Sequence, residues 1–183
     1  PATSSAASDV YKRQSEDRER FQKLIQKVGL KQPKSDISLG TKELVTKSSK
    51  LKFPILLRPS YVLGGRMMEK MANLDDVQDY IDQNYWALEN NVILIDEFLQ
   101  NAKEVDVDVL RDNQGNTMIA GIMEHIEEAG IHSGDSACSI PPFSLNDKII
   151  SDIKKFSISL VNELKILGLM NIQFAIKDDE IFI

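Results

Sequence analysis

A strictly alternating segment at residues 103–110 is the feature that most constrains how this chain can fold. In an extended strand, alternation sends successive side chains to opposite faces, so the acidic residues share one face and the valines share the other. A turn at 113–116 and a second apolar segment at 117–123 follow, and together they predict a β-hairpin over 104–123. Three carboxylates on one face repel each other, so that face is either fully solvated or uses one carboxylate to hold the hydroxyl groups of a ligand. These carboxylates belong to Glu104, Asp106 and Asp108.

The next segment, residues 121–142, concentrates polar chemistry. It contains an acidic cluster, both histidines of the chain, its only cysteine and a turn rich in Gly and Ser. Core segments are apolar with a regular period, whereas this segment is polar and framed by small residues. It therefore predicts a loop that carries a functional site.

Three common types of site do not fit this segment. The spacing of His125 and His132 matches no zinc pattern, and a single cysteine adds little to it. Cys138 near His132 resembles a nucleophilic pair only superficially, because a loop cysteine between small residues is more typical of a filler. Ser133 and Ser136 lie in no nucleophile elbow of the G-x-S-x-G type.

Composition limits the class of protein. With 183 residues, 42% of them hydrophobic and 27% charged, the chain can form one sizeable core or two small lobes. Its net charge of −6 and scattered basic residues argue against a nucleic-acid partner. A lone cysteine fits a reducing compartment, and no apolar run is long enough to span a bilayer. Without an evident signal peptide either, we expect a soluble, cytoplasmic protein with no membrane partner.

The amino-terminal part is predicted to contain helices and connectors but no strand. Residues 1–14 are rich in Ala and Ser without a hydrophobic period, and we expect a disordered lead there. A helix is predicted over 15–28, and its arginines are typical of a solvated face. A polar connector at 31–38 and a weaker helix at 39–49 follow, so residues 15–52 are predicted to be a helical connection.

A short apolar run at 53–58 reads as a buried strand that ends at Pro59 and delivers Arg58 to its carboxyl end. The glycine pair at 64–65 then allows a turn that is either a plain hairpin or a cradle for phosphate. Arginines 58 and 66 on both sides of it, in a net acidic chain, favour an anion-binding role.

The remaining elements are predicted from hydrophobic periodicity and from residues that start or stop a helix. Asn73 caps an amphipathic helix, a long apolar stripe begins at Ser144 and ends at Gly168, and two strands follow it. Because the chain stops in mid-strand, we expect a truncated domain with an unpaired edge. The predicted helices cover 73–86 and 144–167, and the predicted strands cover 92–99, 169–176 and 180–183.

Four segments resemble one known family. RPSYVLGGR at 58–66, EVDVDVL at 104–110, GIMEHIEEAGIHSGDSACSIPP at 121–142 and GLMNIQFAIKDDEIFI at 168–183 are similar to the large chain of carbamoyl phosphate synthase, an ATP-grasp ligase. That large chain contains two similar ATP-grasp halves, and the sequence IMEHIEEAGIHSGDSACS at 122–139 resembles the second half, which phosphorylates carbamate. The resemblance runs from about Ser15 to the end of the chain.

The resemblance implies an α+β fold of the ATP-grasp type, with two lobes and the nucleotide between them. The ATP-grasp domain would cover 53–183. Its small lobe would cover about 53–101, and the hinge with the carboxyl-terminal lobe would cover about 102–183, that lobe being incomplete.

The resemblance also implies roles for single residues. Arg18 and Arg58 match arginines that contact the nucleotide phosphates, and the 64–65 turn matches a loop that covers them. Positions on the hinge strand match contacts to adenine, Glu104 matches the carboxylate on the ribose hydroxyls, and a loop touches the nucleotide from the other side. The hinge positions are Glu97 and Leu99, and the loop positions are Gly130, Ile131, His132 and Ser133.

Catalysis and metal binding are implied in the same way. Arg58 and His132 are the candidate catalytic residues, and both should converge with Glu104 on one nucleotide pocket. Gln173 matches the first of three ligands of magnesium or manganese, and the other two, a Glu and an Asn, are expected beyond Ile183. We therefore expect this chain alone to be inactive.

The implied reaction is phosphorylation of carbamate by ATP to give carbamoyl phosphate, for arginine and pyrimidine biosynthesis. Carbamate would form from bicarbonate and from ammonia that a glutamine amidotransferase small chain or domain releases. Two alternatives stay open: a nucleotide-binding ATP-grasp module without turnover, and another ATP-grasp carboxylate ligase of the biotin carboxylase type.

Overall fold

Two antiparallel sheets form the framework of the described chain. The structure is a computed structural model and describes residues 18–59, 67–89, 92–127, 129 and 136–183. It divides into a small unit, Pro33–Gln100, and a large unit, Pro1–Gln32 with Asn101–Ile183. The domain limits predicted from the sequence stay a prediction beside this division.

The described residues form four helices and nine strands. The small unit contains β1 (Ser35–Leu39), α2 (Leu44–Ser48), β2 (Ile55–Pro59), β3 (Glu69–Met71), α3 (Leu74–Leu88) and β4 (Val92–Glu97). The large unit contains α1 (Arg18–Val28), β5 (Lys103–Arg111), β6 (Thr117–His125), β7 (Cys138–Ser139), α4 (Asp147–Leu164), β8 (Gly168–Lys177) and β9 (Glu180–Phe182).

The small unit is a four-stranded sheet in the order β1-β4-β2-β3, with an apolar core shared by its strands and helices. The predicted helix at 73–86 is present and continues to Leu88. Its Asn73 cap is confirmed, because the side-chain oxygen accepts hydrogen bonds from the amides of Asp75 and Asp76 at 2.8 and 3.0 Å. These bonds satisfy amides that have no partner within the helix.

The connector predicted at 31–38 is wrong in its second half, because residues 35–38 belong to β1, which pairs with β4. The helix predicted at 39–49 shrinks to Leu44–Ser48. Gly40 separates the two elements at a φ of +68°, and a Cβ there would lie 2.2 Å from the carbonyl oxygen of Glu89. Only glycine fits this turn without a shift of the backbone.

The large unit is a five-stranded sheet in the order β7-β6-β5-β8-β9. The predicted hairpin is confirmed as β5 and β6, with a bulge between Asp108 and Val109. The valines of β5 are at most 1% exposed and pack with apolar residues of α1 and α4. The alternation of β5 thus separates a helix-covered face from a polar face.

The helix predicted at 144–167 has different ends. It begins after Asn146, whose side chain accepts a hydrogen bond from the amide of Ile149 at 2.9 Å. It ends at Leu164, where Lys165 adopts the left-handed conformation that the sequence pattern assigned to Gly168. Gly168 instead begins β8. The apolar period of the sequence extends to Leu167, beyond the end of the helix, and therefore did not reveal that end.

The predicted strands at the carboxyl end are present as β8 and β9, but the edge of β9 is not entirely unpaired. Phe182 forms a parallel bridge with Lys31, and the amide of Ile183 donates to the Lys31 carbonyl at 2.9 Å. Lys31 also forms an ion pair with Glu180 at 2.5 Å. Among the described residues, no helix is long and apolar enough to cross a membrane.

We predict that Leu160→Ala lowers the free energy of unfolding of the large unit by about 3 kcal/mol, within the range for buried leucines. Leu160 on α4 has no exposed surface, and its truncation leaves a cavity that the core fills only in part. Urea unfolding followed by amide hydrogen exchange in β5 and β8 measures this loss separately from the small unit.

Ile158→Ala is the matched control. Ile158 lies on the same helix but is 37% exposed, so we expect its truncation to lower the same free energy by less than about 1 kcal/mol. Equal losses for the two variants would contradict the buried face of α4 described above.

Candidate functional site

The face of the five-stranded sheet opposite the apolar core carries a group of polar side chains, which we call the polar face. Asp106 lies directly opposite Gln173, and Asp108 lies directly opposite Asn171. Residues that pair across an antiparallel sheet share a face, and so do alternate residues along a strand. The polar face therefore includes Glu104, Asp106, Asp108, His125, Asn171 and Gln173.

His125 lies between two of the three carboxylates of β5. Its Nε2 is 3.0 Å from Asp106 Oδ2, and its Nδ1 is 3.4 Å from Glu104 Oε2. The first contact is a hydrogen bond, whereas the second has an ion-pair distance without hydrogen-bond geometry. Only 2% of the His125 side chain is exposed, so the imidazole is buried against the two carboxylates that it contacts.

The remaining carboxylate of β5 also has a partner. The side-chain amide of Asn171 donates to Asp108 Oδ1 at 3.0 Å. Asp106 is only 13% exposed at its side chain, while Glu104 is 31% exposed. The fully solvated alternative for this face is therefore wrong, and Glu104 is more open to a ligand than Asp106.

Glu124 belongs to the covered side of β6 and is 1% exposed. Its carboxylate accepts hydrogen bonds from the amides of Phe143 and Ser144, both at 2.9 Å, and from the Ser144 hydroxyl. These donors compensate for burying a charge and fix the chain just before α4. Thus 121–125 is strand rather than loop, and Ser144 donates to Glu124 instead of beginning the helix.

Cys138 lies opposite His125 in the short β6–β7 pairing. Although the residue as a whole is exposed, desolvation raises the pKa of its thiol, and the charges of Asp106 and Glu127 raise that pKa further. A raised pKa reduces the thiolate fraction, which is the nucleophilic form. This environment agrees with the earlier rejection of Cys138 as a nucleophile.

Arg58 in the small unit is held along one edge of its guanidinium group. Its Nε and Nη2 donate to Asp96 Oδ2 at 2.9 and 2.6 Å. Two charge-assisted bonds to one oxygen orient a side chain that otherwise has many rotamers. The neighbouring positions at 64–66, which the sequence linked to anion binding, lie outside the described residues.

The hinge positions are anchored within the small unit. The Glu97 carboxylate accepts from the amide of Lys52 at 2.9 Å, and the Glu97 amide donates to the Lys34 carbonyl at 2.8 Å. Phe98, which precedes Leu99, donates its amide to the Pro54 carbonyl at 2.9 Å. Glu97 and Phe98 are thus held by hydrogen bonds to other backbone segments of the small unit, and the Glu97 carboxylate takes part in this anchoring.

The structure brings some predicted residues together within each unit. Glu104 and Gln173 share the polar face of the large unit, and Arg58, Glu97 and Leu99 belong to the small unit. Arg18 lies in the first turn of α1, but its side chain is outside the described part of the chain, as are Gly130, Ile131, His132 and Ser133. Convergence of Arg58, Glu104 and His132 on one pocket therefore stays a prediction.

Sequence patterns did not predict the supporting roles of two residues, Asp96 and His125. Asp96 follows an apolar run, which made it look like the end of a strand rather than the partner of Arg58. His125 is seven residues from His132, and that spacing was tested only against metal patterns. No sequence pattern indicated that it lies within a strand, because the charged Glu124 beside it, which is buried in the fold, interrupts the apolar segment.

A family model described as "Carbamoyl-phosphate synthase L chain, ATP binding domain" matches residues 17–183. Among similar proteins, the carbamoyl phosphate synthase large chain of Xanthomonas axonopodis pv. citri is 45% identical over 166 residues, which cover 91% of this chain and 15% of that protein. The large chain of Neisseria meningitidis serogroup B is 43% identical over 169 residues, covering 92% and 16%. This chain thus spans about 15% of the length of the curated relatives it matches.

Solved structures resemble the fold at low identity. An ADP complex of N5-carboxyaminoimidazole ribonucleotide synthetase has a TM-score of 0.73 at 18% identity and covers 90% of this chain and 42% of that one. Biotin carboxylase from Campylobacter jejuni scores 0.67 at 15% identity, covering 91% and 38%, and VanG D-Ala:D-Ser ligase from Enterococcus faecalis scores 0.69 at 16%, covering 91% and 50%. All three are ATP-grasp enzymes, so the predicted α+β ATP-grasp fold is confirmed.

We predict that alkylation of Cys138 by iodoacetamide titrates with a midpoint above the ordinary pKa of a cysteine thiol. Desolvation and the nearby charges of Asp106 and Glu127 raise the pKa of Cys138, and only the thiolate reacts. The chain contains one cysteine, so mass spectrometry of the alkylated protein reports on this site alone.

Glu127→Gln is expected to lower that midpoint, because it removes one of the two negative charges that raise the pKa. Asp179→Asn in the β8–β9 turn serves as the control and should leave the midpoint unchanged. A wild-type midpoint at or below the ordinary thiol pKa would contradict the environment described for Cys138.

Proposed function

This chain belongs to the family of carbamoyl-phosphate synthase large-chain ATP-binding domains, and on that premise we propose that it binds ATP for the phosphorylation of carbamate. The ligase class follows from the family, whereas the reaction is proposed for a protein of the relatives' full length. The proposed product is carbamoyl phosphate, and the proposed source of carbamate is bicarbonate with ammonia from a glutamine amidotransferase small chain or domain. Arginine and pyrimidine biosynthesis are the proposed uses of this product.

The observation that carries the proposal is the arrangement around Glu104. Its carboxylate is partly exposed on the polar face and rests against the buried imidazole of His125. An ionised carboxylate only accepts hydrogen bonds, and its two oxygens suit the two neighbouring hydroxyl groups of a ribose. Support from a buried second residue limits the rotamers of Glu104, as a preorganised binding group requires.

Arg58 supplies the proposed contact to phosphate. After its two bonds to Asp96, the guanidinium still has three N–H groups, which form a fork suited to phosphate oxygens. The Arg58 side chain is 44% exposed, so this fork is open to a ligand. Arg18 is the second proposed phosphate contact.

The proposed chemistry is a direct transfer of the γ-phosphoryl group. A carbamate oxygen forms a bond to the γ-phosphorus as the bond from that phosphorus to the bridging oxygen breaks, and ADP leaves. The protein positions the reactants and neutralises negative charge, with Arg58 and His132 as the proposed catalytic residues. Adenine is proposed to lie against the anchored backbone at 97–99 and the loop at 130–133.

Magnesium or manganese is the expected cofactor of this family, and when bound it would neutralise phosphate charge. Gln173 offers one side-chain oxygen on the polar face, but among the described residues no three His, Cys, Asp or Glu side chains form a group that could hold a metal ion. The described donor set does not fit a complete metal site, and we derive no step through the metal. Nucleotide binding without turnover is a second candidate function for these 183 residues.

We predict that the wild-type chain binds ATP more tightly than 2′,3′-dideoxy-ATP and that Glu104→Ala abolishes this preference. A hydrogen bond to a charged acceptor contributes about 1.5–3 kcal/mol, so the preference should be about tenfold to a hundredfold. Isothermal titration calorimetry of both nucleotides with both chains measures it.

Asp108→Asn is the matched control for that experiment. Asp108 lies on the same strand and the same face but is paired with Asn171, so the variant should keep the preference for ATP. If Glu104→Ala retains the preference, Glu104 does not bind the ribose.

We also predict that ATP binding by this chain depends little on magnesium and that the chain alone releases no ADP with carbamate or bicarbonate. The arginines and Glu104 remain available without the metal, whereas the described residues do not form a full set of metal ligands. Calorimetry with and without magnesium, together with an ADP-release assay, measures both outcomes. Tight binding that requires magnesium, or turnover by the chain alone, would contradict the second candidate function.

A further inference from the structure

We propose that Asp96 is a positioning residue that holds the guanidinium group of Arg58 ready for the phosphate groups of ATP. The inference rests on the proposed function, in which Arg58 contacts those phosphates. It adds a residue, Asp96, whose role is to orient Arg58 without touching the nucleotide.

Asp96 binds a single edge of the guanidinium. The nitrogens that donate to Asp96 Oδ2, Nε and Nη2, form the side edge of the group, at 2.9 and 2.6 Å. Both N–H groups of Nη1 and the second N–H of Nη2 point away from that edge. The end edge, with one N–H of Nη1 and one N–H of Nη2, therefore remains a two-pronged donor, the geometry that binds a phosphate through parallel hydrogen bonds.

The sheet fixes the position of the Asp96 carboxylate. Asp96 lies on β4 between β1 and β2, opposite Ser35 on one side and Leu56 on the other. Because alternate residues along β2 share a face, Arg58 is on the same face as Leu56 and Asp96. The Asp96 side chain is 14% exposed and the Arg58 side chain is 44% exposed. Asp96 is thus the anchored end of the pair, and Arg58 is the end that a ligand can reach.

Two effects of Asp96 on a bound anion have opposite signs. Its negative charge repels phosphate, so neutralising it would strengthen phosphate binding if charge alone mattered. As an anchor, it removes rotamer freedom that Arg58 would otherwise lose on binding, and arginine has one of the largest side-chain entropies. Solvent and salt weaken the repulsion at this partly exposed site, whereas they do not affect the entropy. We therefore expect the anchoring effect to dominate.

The experiment compares ATP with adenosine for the wild-type chain and for Asp96→Asn, which keeps the shape of the side chain. NMR titration without magnesium records weak affinities for both ligands. We expect the dissociation constant for ATP to rise about fivefold to tenfold, since the side-chain entropy of arginine bounds the effect. The constant for adenosine, which has no phosphate, should change by less than about twofold.

Asp36→Asn is the matched control, because it removes the same charge from the adjacent strand β1 and leaves the Arg58–Asp96 pair intact. It should leave both dissociation constants unchanged. A second measurement, the rate at which the Arg58 Nε–H proton exchanges with solvent, reports whether Asp96 holds the guanidinium in the absence of nucleotide. We expect this exchange to be faster in Asp96→Asn than in the wild type.

The outcomes separate the inference from the proposed function. If Arg58→Ala weakens ATP binding but Asp96→Asn leaves it unchanged or strengthens it, the inference is overturned and the proposed function stands. Equal Nε–H exchange in the wild type and Asp96→Asn also overturns the inference. If the wild type binds no ATP, or if Arg58→Ala binds it unchanged, the proposed function fails and the inference falls with it.

Discussion

The pleat of β5 is the constraint on which the large unit depends. This strand lies third among five, between β6 and β8, so both neighbours must follow its alternation. Its valines enter the core beneath the helices, while its carboxylates lie on the polar face. A register shift of one residue would exchange the two faces and bury three carboxylates without partners. The same strand therefore determines both the core and the candidate site.

Each carboxylate of β5 on the polar face contacts a specific neighbour. His125 contacts Glu104 and Asp106, and Asn171 donates to Asp108. Glu104 is more exposed than Asp106. This difference in exposure is the reason for proposing Glu104 as the ligand-binding carboxylate. In the small unit, the charged Arg58 side chain likewise has a specific neighbour, Asp96.

Local signals predicted much of the fold and only part of the site. The hairpin of β5 and β6 and the cap at Asn73 depend on residues close in sequence, and both were predicted correctly. Strand β1 was missed because it forms by pairing with the distant β4, and its two alternating apolar residues, Ile37 and Leu39, are too few to indicate a strand. Family resemblance identified Arg58 and Glu104, but not the residues that support them, whose partners come together only in the folded chain.

Glu124 brings the two ends of a long segment together. Its carboxylate binds the amides of Phe143 and Ser144, and the amide of Ile126 donates to the Ala137 carbonyl at 2.9 Å. Once such ends are fixed, each doubling of the length between them adds only about 0.6 kcal/mol of closure entropy. The two anchors therefore hold the ends of this segment at little cost for its length, while the choice of residues at 130–133 stays tied to the nucleotide contacts proposed for them.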